Sequence, residues 1–310
     1  MSYKEKYLKY KNKYFNLKNQ FGGNDKAIIN SVKKAIEASN LITLKILLKE
    51  NKSFKNWPLY LCSLAIGKGL LGCLKALHKN GCPWNENMCV YAAEKGHLEC
   101  LKYLHENGCP WYYYVCSMAA MNGHLECLKY AHKNGCNWNS STLKEAIENG
   151  HLDCLKYAYE NGCPVNDLQL CNIAAEKGHI ECLKYLHENG IQWNEETCKL
   201  AAQYNHLKCL KYLHENGCPW NEETCNFATN LYNIAMGYLE CLKYAHENGC
   251  PYSVKIRRII VRKILIPKWR ECVKIRPYAL HWLEHTMKVK YDEDGEGRSE
   301  DRDSFEQDFI

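Results

Sequence analysis

One phrase recurs along this chain. HLECLKYLHENGCPW occupies residues 97–111, HIECLKYLHENGIQW residues 179–193 and HLKCLKYLHENGCPW residues 206–220. The pattern G-H-L-E-C-L-K-Y begins at Gly69, Gly96, Gly123, Gly150, Gly178, Asn205 and Gly237, at spacings of 27, 27, 27, 28, 27 and 32 residues. A worn earlier copy begins at Ser39, in SNLITLKILLKEN. A catalytic centre needs its groups once, so repetition of this density specifies architecture: units too small to bury their own apolar faces, which stack into a quasi-one-dimensional core.

Each unit reads as two short helices. In the second, Leu98, Leu101 and Leu104 recur at i, i+3, i+6, and Cys100 and Tyr103 widen the apolar stripe. Glu99 and Lys102 fall on the other side, one turn apart, where opposite charges help slightly. Asn107-Gly108 stops the helix, because glycine takes the left-handed conformation without penalty, and Pro110 cannot continue it. The first helix is clearest in NEETCKLAAQYNH, where Asn194 is suited to cap the start and Glu195 and Glu196 to face the positive helix end. Small Cys198, Ala201 and Ala202 permit close packing by a neighbour.

The string AAEKGHLECLKYLHENGCPWN resembles an ankyrin repeat at Ala92, Ala93, Gly96, His97, Leu98, Leu101, Leu104 and Gly108, with Asn85 at the repeat's Asn. The resemblance spans seven units and implies an all-α, helix-turn-helix solenoid that binds proteins. The period departs from the 33 residues of that family, and the T-P-L-H turn is absent. The missing length falls between Asn194 and Cys198, so most of the β-hairpin finger is absent and binding roles of finger tips do not transfer. The cysteine-rich, fingerless form is similar to ankyrin-repeat proteins of giant DNA viruses that infect amoebae, as is the opening MSYKEKYLKYKNKYFNLKNQ. That similarity implies a viral protein with a host or viral protein as partner, acting in the host cytoplasm as a monomer.

The domains expected are a basic amphipathic helix at 1–23, a degenerate capping repeat at 24–55, seven repeats at 56–252, basic capping helices at 253–290 and an acidic, disordered tail at 291–310. Net charge is +6, with the positive excess at both flanks of a near-neutral middle. Nucleic acid held by the basic N- and C-terminal segments is therefore the alternative partner. The stripe Tyr3, Tyr7, Tyr10, Tyr14, Leu17 and the surrounding lysines suit RNA, a membrane surface or a simple lead-in helix. Gly22-Gly23 is a candidate processing site. No run of 18 or more apolar residues and no apolar leader occur, which points to a reducing, intracellular setting.

The chain has 20 cysteines, yet they fall in three recurrent positions, with only Cys272 outside them. Leu143 and Ile191 replace them singly, and no C-x-x-C pair exists, so they read as small core residues with neither metal nor disulfide expected. Turn histidines (His97, His124, His151, His179, His206) and second-helix histidines (His78, His105, His132, His187, His214, His246) recur likewise and read as structural. His281, Glu284 and His285 match H-x-x-E-H, a short metalloprotease pattern without an evident third ligand. No nucleophile with its base and no phosphate-cradling glycine loop occurs, so neither enzyme activity nor a cofactor is expected. What varies between units lies on the first helices and the loops before them. Tyr112, Tyr113, Tyr114, Met118 and Tyr204 are the candidate partner contacts, because exposed tyrosines carry much interface energy.

Overall fold

Stop signals every dozen residues break the chain into short helices. The computed structural model describes residues 23–52, 54–165, 169–228 and 239–251 and contains sixteen helices and no strand among them. The chain divides into two compact units, Met1–Leu170 and Cys171–Ile310. The first holds five helical hairpins: α1 (Gly23–Glu37) with α2 (Leu41–Glu50), α3 (Tyr60–Gly67) with α4 (Leu71–Lys79), α5 (Asn87–Glu94) with α6 (Leu98–Glu106), α7 (Tyr114–Met121) with α8 (Leu125–Lys133), and α9 (Ser140–Glu148) with α10 (Leu152–Glu160). The helices α11 (Leu170–Lys177) and α12 (Ile180–Glu188), α13 (Glu195–Gln203) and α14 (Leu207–Glu215), and α15 (Glu222–Ala228) and α16 (Glu240–Glu247) follow. Within the first unit α3, α5, α7 and α9 pack side by side as one layer, and α2, α4, α6, α8 and α10 as another. In the second, α13 packs on α15, and α14 lies between α12 and α16. The ten-residue-scale helices have no independent stability, so this layering is what holds them.

The caps follow from the sequence. Asn194 Oδ1 accepts from the Glu196 amide at 3.1 Å, and Thr197 Oγ1 accepts from the Asn194 amide at 3.3 Å, completing a capping box. Asn139 and Asn221 also cap α9 and α15, each side-chain oxygen accepting the amide two residues on. Each second helix ends on asparagine whose side chain closes the last turn, as Asn107 Nδ2 does on the Tyr103 carbonyl at 2.7 Å. Gly108 follows at φ +78°, and the Cys109 amide returns to the Leu104 carbonyl at 2.9 Å. The predicted Glu99–Lys102 pair forms at 2.7 Å between exposed groups, where it adds little. All 19 cysteines among the described residues are buried and unlinked, and they alternate with the leucines in the core. Residues 109–113 alone join Glu106-Asn107-Gly108 to α7, which leaves no room for a finger.

The turn between the two helices has a second constraint beyond its backbone. Gly96 has φ +70°, and an added Cβ would sit 2.5 Å from Nδ1 of His124, the turn histidine of the next repeat. Gly69 meets His97 and Gly123 meets His151 in the same manner. Two non-glycine residues take the same positive φ, Ser39 at 54° and Asn205 at 57°. In both cases the following repeat carries no histidine there; it has Leu70 and Tyr238. Asn205 uses its side chain instead, donating to Glu240 and accepting from the Cys241 amide at 3.3 Å. A glycine is thus required wherever the next repeat lays a ring on it. Gly108→Ala, with nothing within 4 Å of the new atom, should cost about 1 kcal/mol from the left-handed backbone alone. Gly96→Ala should cost more, and in a double-mutant cycle with His124→Ala, read by urea denaturation, that excess should vanish.

Candidate functional surface

Both recurrent histidines join neighbouring repeats. The turn histidines reach back to the carbonyl that ends the previous first helix: His97 Nε2 lies 3.4 Å from the Gly67 oxygen, His124 Nε2 3.1 Å from Glu94 and His206 Nε2 2.9 Å from Glu176. The second-helix histidines build a three-ring lock. His105 stacks on Trp111 of its own repeat, ring centres 3.7 Å apart, and its Nδ1 meets the Tyr130 hydroxyl of the next repeat at 3.1 Å. Trp111 also lies edge-on to Tyr130 at 6.0 Å. The same geometry holds for His78, Trp84 and Tyr103, for His132, Trp138 and Tyr157, for His187, Trp193 and Tyr212, and for His214, Trp220 and Tyr244. The five-residue insertion before Tyr244 leaves the lock intact. Where Tyr159 replaces the histidine, Val165 replaces the tryptophan and stands 42% exposed. In this repeat His and Trp are lost together, whereas the last repeat keeps His246 with Tyr252 at the tryptophan position.

The lock has consequences for stability. Tyr130→Phe removes one hydroxyl from His105 and should lower stability by about 1 kcal/mol, measured as a shift in the urea midpoint. Burial pushes His78, His124, His132 and His206 below the ordinary histidine value of 6.5. A folded-state value below the unfolded one means the unfolded chain takes up more protons, so stability is full above pH 6.5 and falls as pH drops through it. Urea midpoints should decline from pH 7.5 to 5.5, and His132→Gln should flatten the decline.

The candidate contacts lie on the other layer or beside it. Tyr112, Tyr113 and Tyr114 are half-buried and gather as a cluster at the start of α7, with Tyr113 and Tyr114 rings 4.2 Å apart. Tyr204 ends α13 and is 48% exposed. Met118 is 7% exposed, so its side chain belongs to the packing; its helix turns it inward with Val115 and Ala119. Tyr91, in the equivalent place one repeat earlier, is half-buried and lies under the Lys95 ammonium at 5.5 Å. Burial raises its pKa. Glu145 occupies that place one repeat later, its carboxyl raised by burial and by Glu148. In the second unit Ile173, Leu200 and Phe227 hold the corresponding row, and Lys199 lies over Phe227 at 4.6 Å while pairing with Glu196 at 2.8 Å and Glu223 at 3.4 Å. Among the described residues no three His, Cys, Asp or Glu gather as metal ligands, and no helix is long and apolar enough to cross a membrane. The Tyr3–Leu17 stripe, the Gly22 side of Gly22-Gly23, residues 229–238 around the five-residue insertion, the basic 253–290 segment with His281, Glu284 and His285, and the acidic tail lie outside the described residues.

Two family models match the sequence of these paired helices. Ankyrin repeats in three copies match residues 116–197, and ankyrin repeats in many copies match residues 89–132. Together the two matches cover residues 89–197, a stretch similar to ankyrin-repeat sequence. The crystal structure of the human ASB11 ankyrin repeat domain is similar at 22% identity and a TM-score of 0.46, over 53% of this chain and 85% of that one. No curated protein matches the chain. The ankyrin assignment agrees with the sixteen helices and absent strands of the described residues, and ankyrin repeats generally mediate protein–protein interaction.

Proposed function

We propose that the chain is a non-catalytic scaffold that docks a protein on the first-helix face of its ankyrin repeats. One observation carries this reading. The ring positions of the second helices are spent on recurring contacts between repeats, whereas the first-helix row changes character: Tyr91 and Glu145 in one unit, Ile173, Leu200 and Phe227 in the other. Identical positions serve stacking; positions free to differ can distinguish one partner from another. Tyr204, with about half its surface in solvent, is the largest aromatic handle on this layer. The Tyr112–Tyr113–Tyr114 cluster adds rigid, amphipathic area with two side-chain torsions per residue to immobilise. The resemblance of the sequence to giant-virus repeat proteins supports a host or viral protein, met in the host cell, as the partner.

Affinity capture from amoebal lysate tests this, with the full chain beside Tyr204→Ala and a Tyr112/Tyr113/Tyr114→Ala variant, each checked for helicity by circular dichroism. A protein retained by the parent should fall about tenfold or more with at least one variant of unchanged helicity, as expected when a contact residue is truncated. Equal retention by all three would overturn the assignment of these tyrosines. Capture of nucleic acid alone, lost steeply with salt, would transfer function to the basic segments.

A further inference from the structure

The cysteine after the closing glycine of a repeat meets the first-helix cysteine of the same repeat. Cys109 Sγ donates to the Asn85 carbonyl at 3.2 Å, and Cys89 Sγ donates to the Cys109 carbonyl at 3.8 Å. Cys136 and Cys116 repeat this at 3.4 and 3.8 Å, and Cys218 and Cys198 at 3.2 and 4.0 Å. Cys250 and Cys225 keep it at 3.4 and 3.6 Å although the insertion lengthens their separation from 20 to 25 residues. Cys82, opposite Cys62, donates to the Pro58 carbonyl at 3.6 Å. In all five pairs the register sets the two cysteines against each other, the first-helix Sγ lying within 4.0 Å of its partner's backbone oxygen in four of them. Two repeats hold one member only: Cys163 faces Leu143, and Cys171 faces Ile191. The second-helix cysteines have no such partner.

We propose that these five pairs are oxidation sites that take hydrogen peroxide and close to a disulfide within one repeat. The two members are not equivalent. First-helix Cys62, Cys89, Cys116, Cys198 and Cys225 are 0% exposed, while Cys82, Cys109, Cys136, Cys218 and Cys250 are 2–3% exposed, so the latter meet a small oxidant first. The adjacent first-helix thiol also holds Cys109, Cys136 and Cys250 below the ordinary thiol value, against the effect of burial. Burial pushes unpaired Cys100 up to about 11 and Cys127 up to about 12, which keeps them protonated. In the first step the post-glycine thiolate attacks one peroxide oxygen; the O–O bond breaks, hydroxide leaves and a sulfenic acid forms. In the second, the first-helix sulfur attacks the sulfenic sulfur, the S–O bond breaks, the S–S bond forms and water leaves. Two electrons pass from the pair to the peroxide, which ends as two waters with the two thiol protons. The link ties the loop after the second helix to the first helix of its own repeat. It constrains the unfolded chain and leaves the rings between repeats untouched.

The test is treatment of the reduced full chain with hydrogen peroxide at neutral pH, alkylation, and non-reducing peptide mapping by mass spectrometry with circular dichroism alongside. Links should appear between Cys62 and Cys82, Cys89 and Cys109, Cys116 and Cys136, Cys198 and Cys218, and Cys225 and Cys250, each lowering the intact mass by two hydrogens. Cys163 and Cys171 should stay unlinked, and the urea midpoint should rise on oxidation and return with dithiothreitol. Leu143→Cys, which copies the other repeats, should add a sixth link from position 143 to Cys163. Recovery of the ten paired cysteines as alkylated thiols in helical protein, links spread among second-helix cysteines, or no link at position 143 would overturn the proposal.

Discussion

Everything in this molecule depends on the contact one hairpin makes with the next. A helix of eight or nine residues cannot stand alone in water, and a pair of them buries too little apolar surface to pay for its own ordering. The leucines and cysteines supply that burial but carry little positional information, since greasy surfaces can slide. Register comes from the rings. A turn histidine resting on the preceding glycine and a tyrosine hydroxyl meeting the preceding second-helix histidine each fix where the next repeat sits. The first is steric and the second directional, and the two act at different ends of the same hairpin.

This division of labour explains the composition. Second helices are held nearly constant because their outer residues are used twice, once for their own helix and once for the neighbour. Asn107 and its counterparts close a turn, His105 and its counterparts hold a tryptophan and a tyrosine, and Cys100 and its counterparts fill space beside Leu101. First helices owe fewer contacts to their neighbours. Polar partners still cross between them, as Ser117 and Thr142 do at 3.5 Å, and as Thr197 does with Asn172. Their remaining positions vary, and that variation is where the chain can differ from a generic stack.

Much of the hairpin was legible because its signals are local. Asn194 as a cap, Asn107-Gly108 as a stop and Leu98, Leu101 and Leu104 as a buried stripe each rest on spacings inside one helix. The core role of the cysteines followed from their replacement by Leu143 and Ile191. Two features were not legible for one common reason: they depend on which residue of one repeat faces which residue of the next. Tyr103 reads as part of an apolar stripe, yet its hydroxyl meets His78 of the preceding repeat. Gly96 reads as a turn residue, and only the position of the His124 ring reveals that a methyl group would not fit. Met118 varies between repeats like a surface residue but lies inside, because eight residues of a first helix show no clean apolar face from which to orient it. The paired loss of histidine at Tyr159 and tryptophan at Val165 was visible in the letters, but its meaning required the stack.

The three-ring lock has an edge-to-edge character: a complete repeat, such as that of Tyr103, His105 and Trp111, carries histidine and tryptophan toward one neighbour and tyrosine toward the other. A repeat is therefore a tile whose two borders match those of any other complete tile. Duplicating or deleting one whole unit of the gene restores both borders at the new seam, whereas a change of partial length severs one. Such a chain can lengthen or shorten by recombination between its own near-identical copies without passing through a misfolded ancestor, and the number of repeats becomes a heritable variable in its own right.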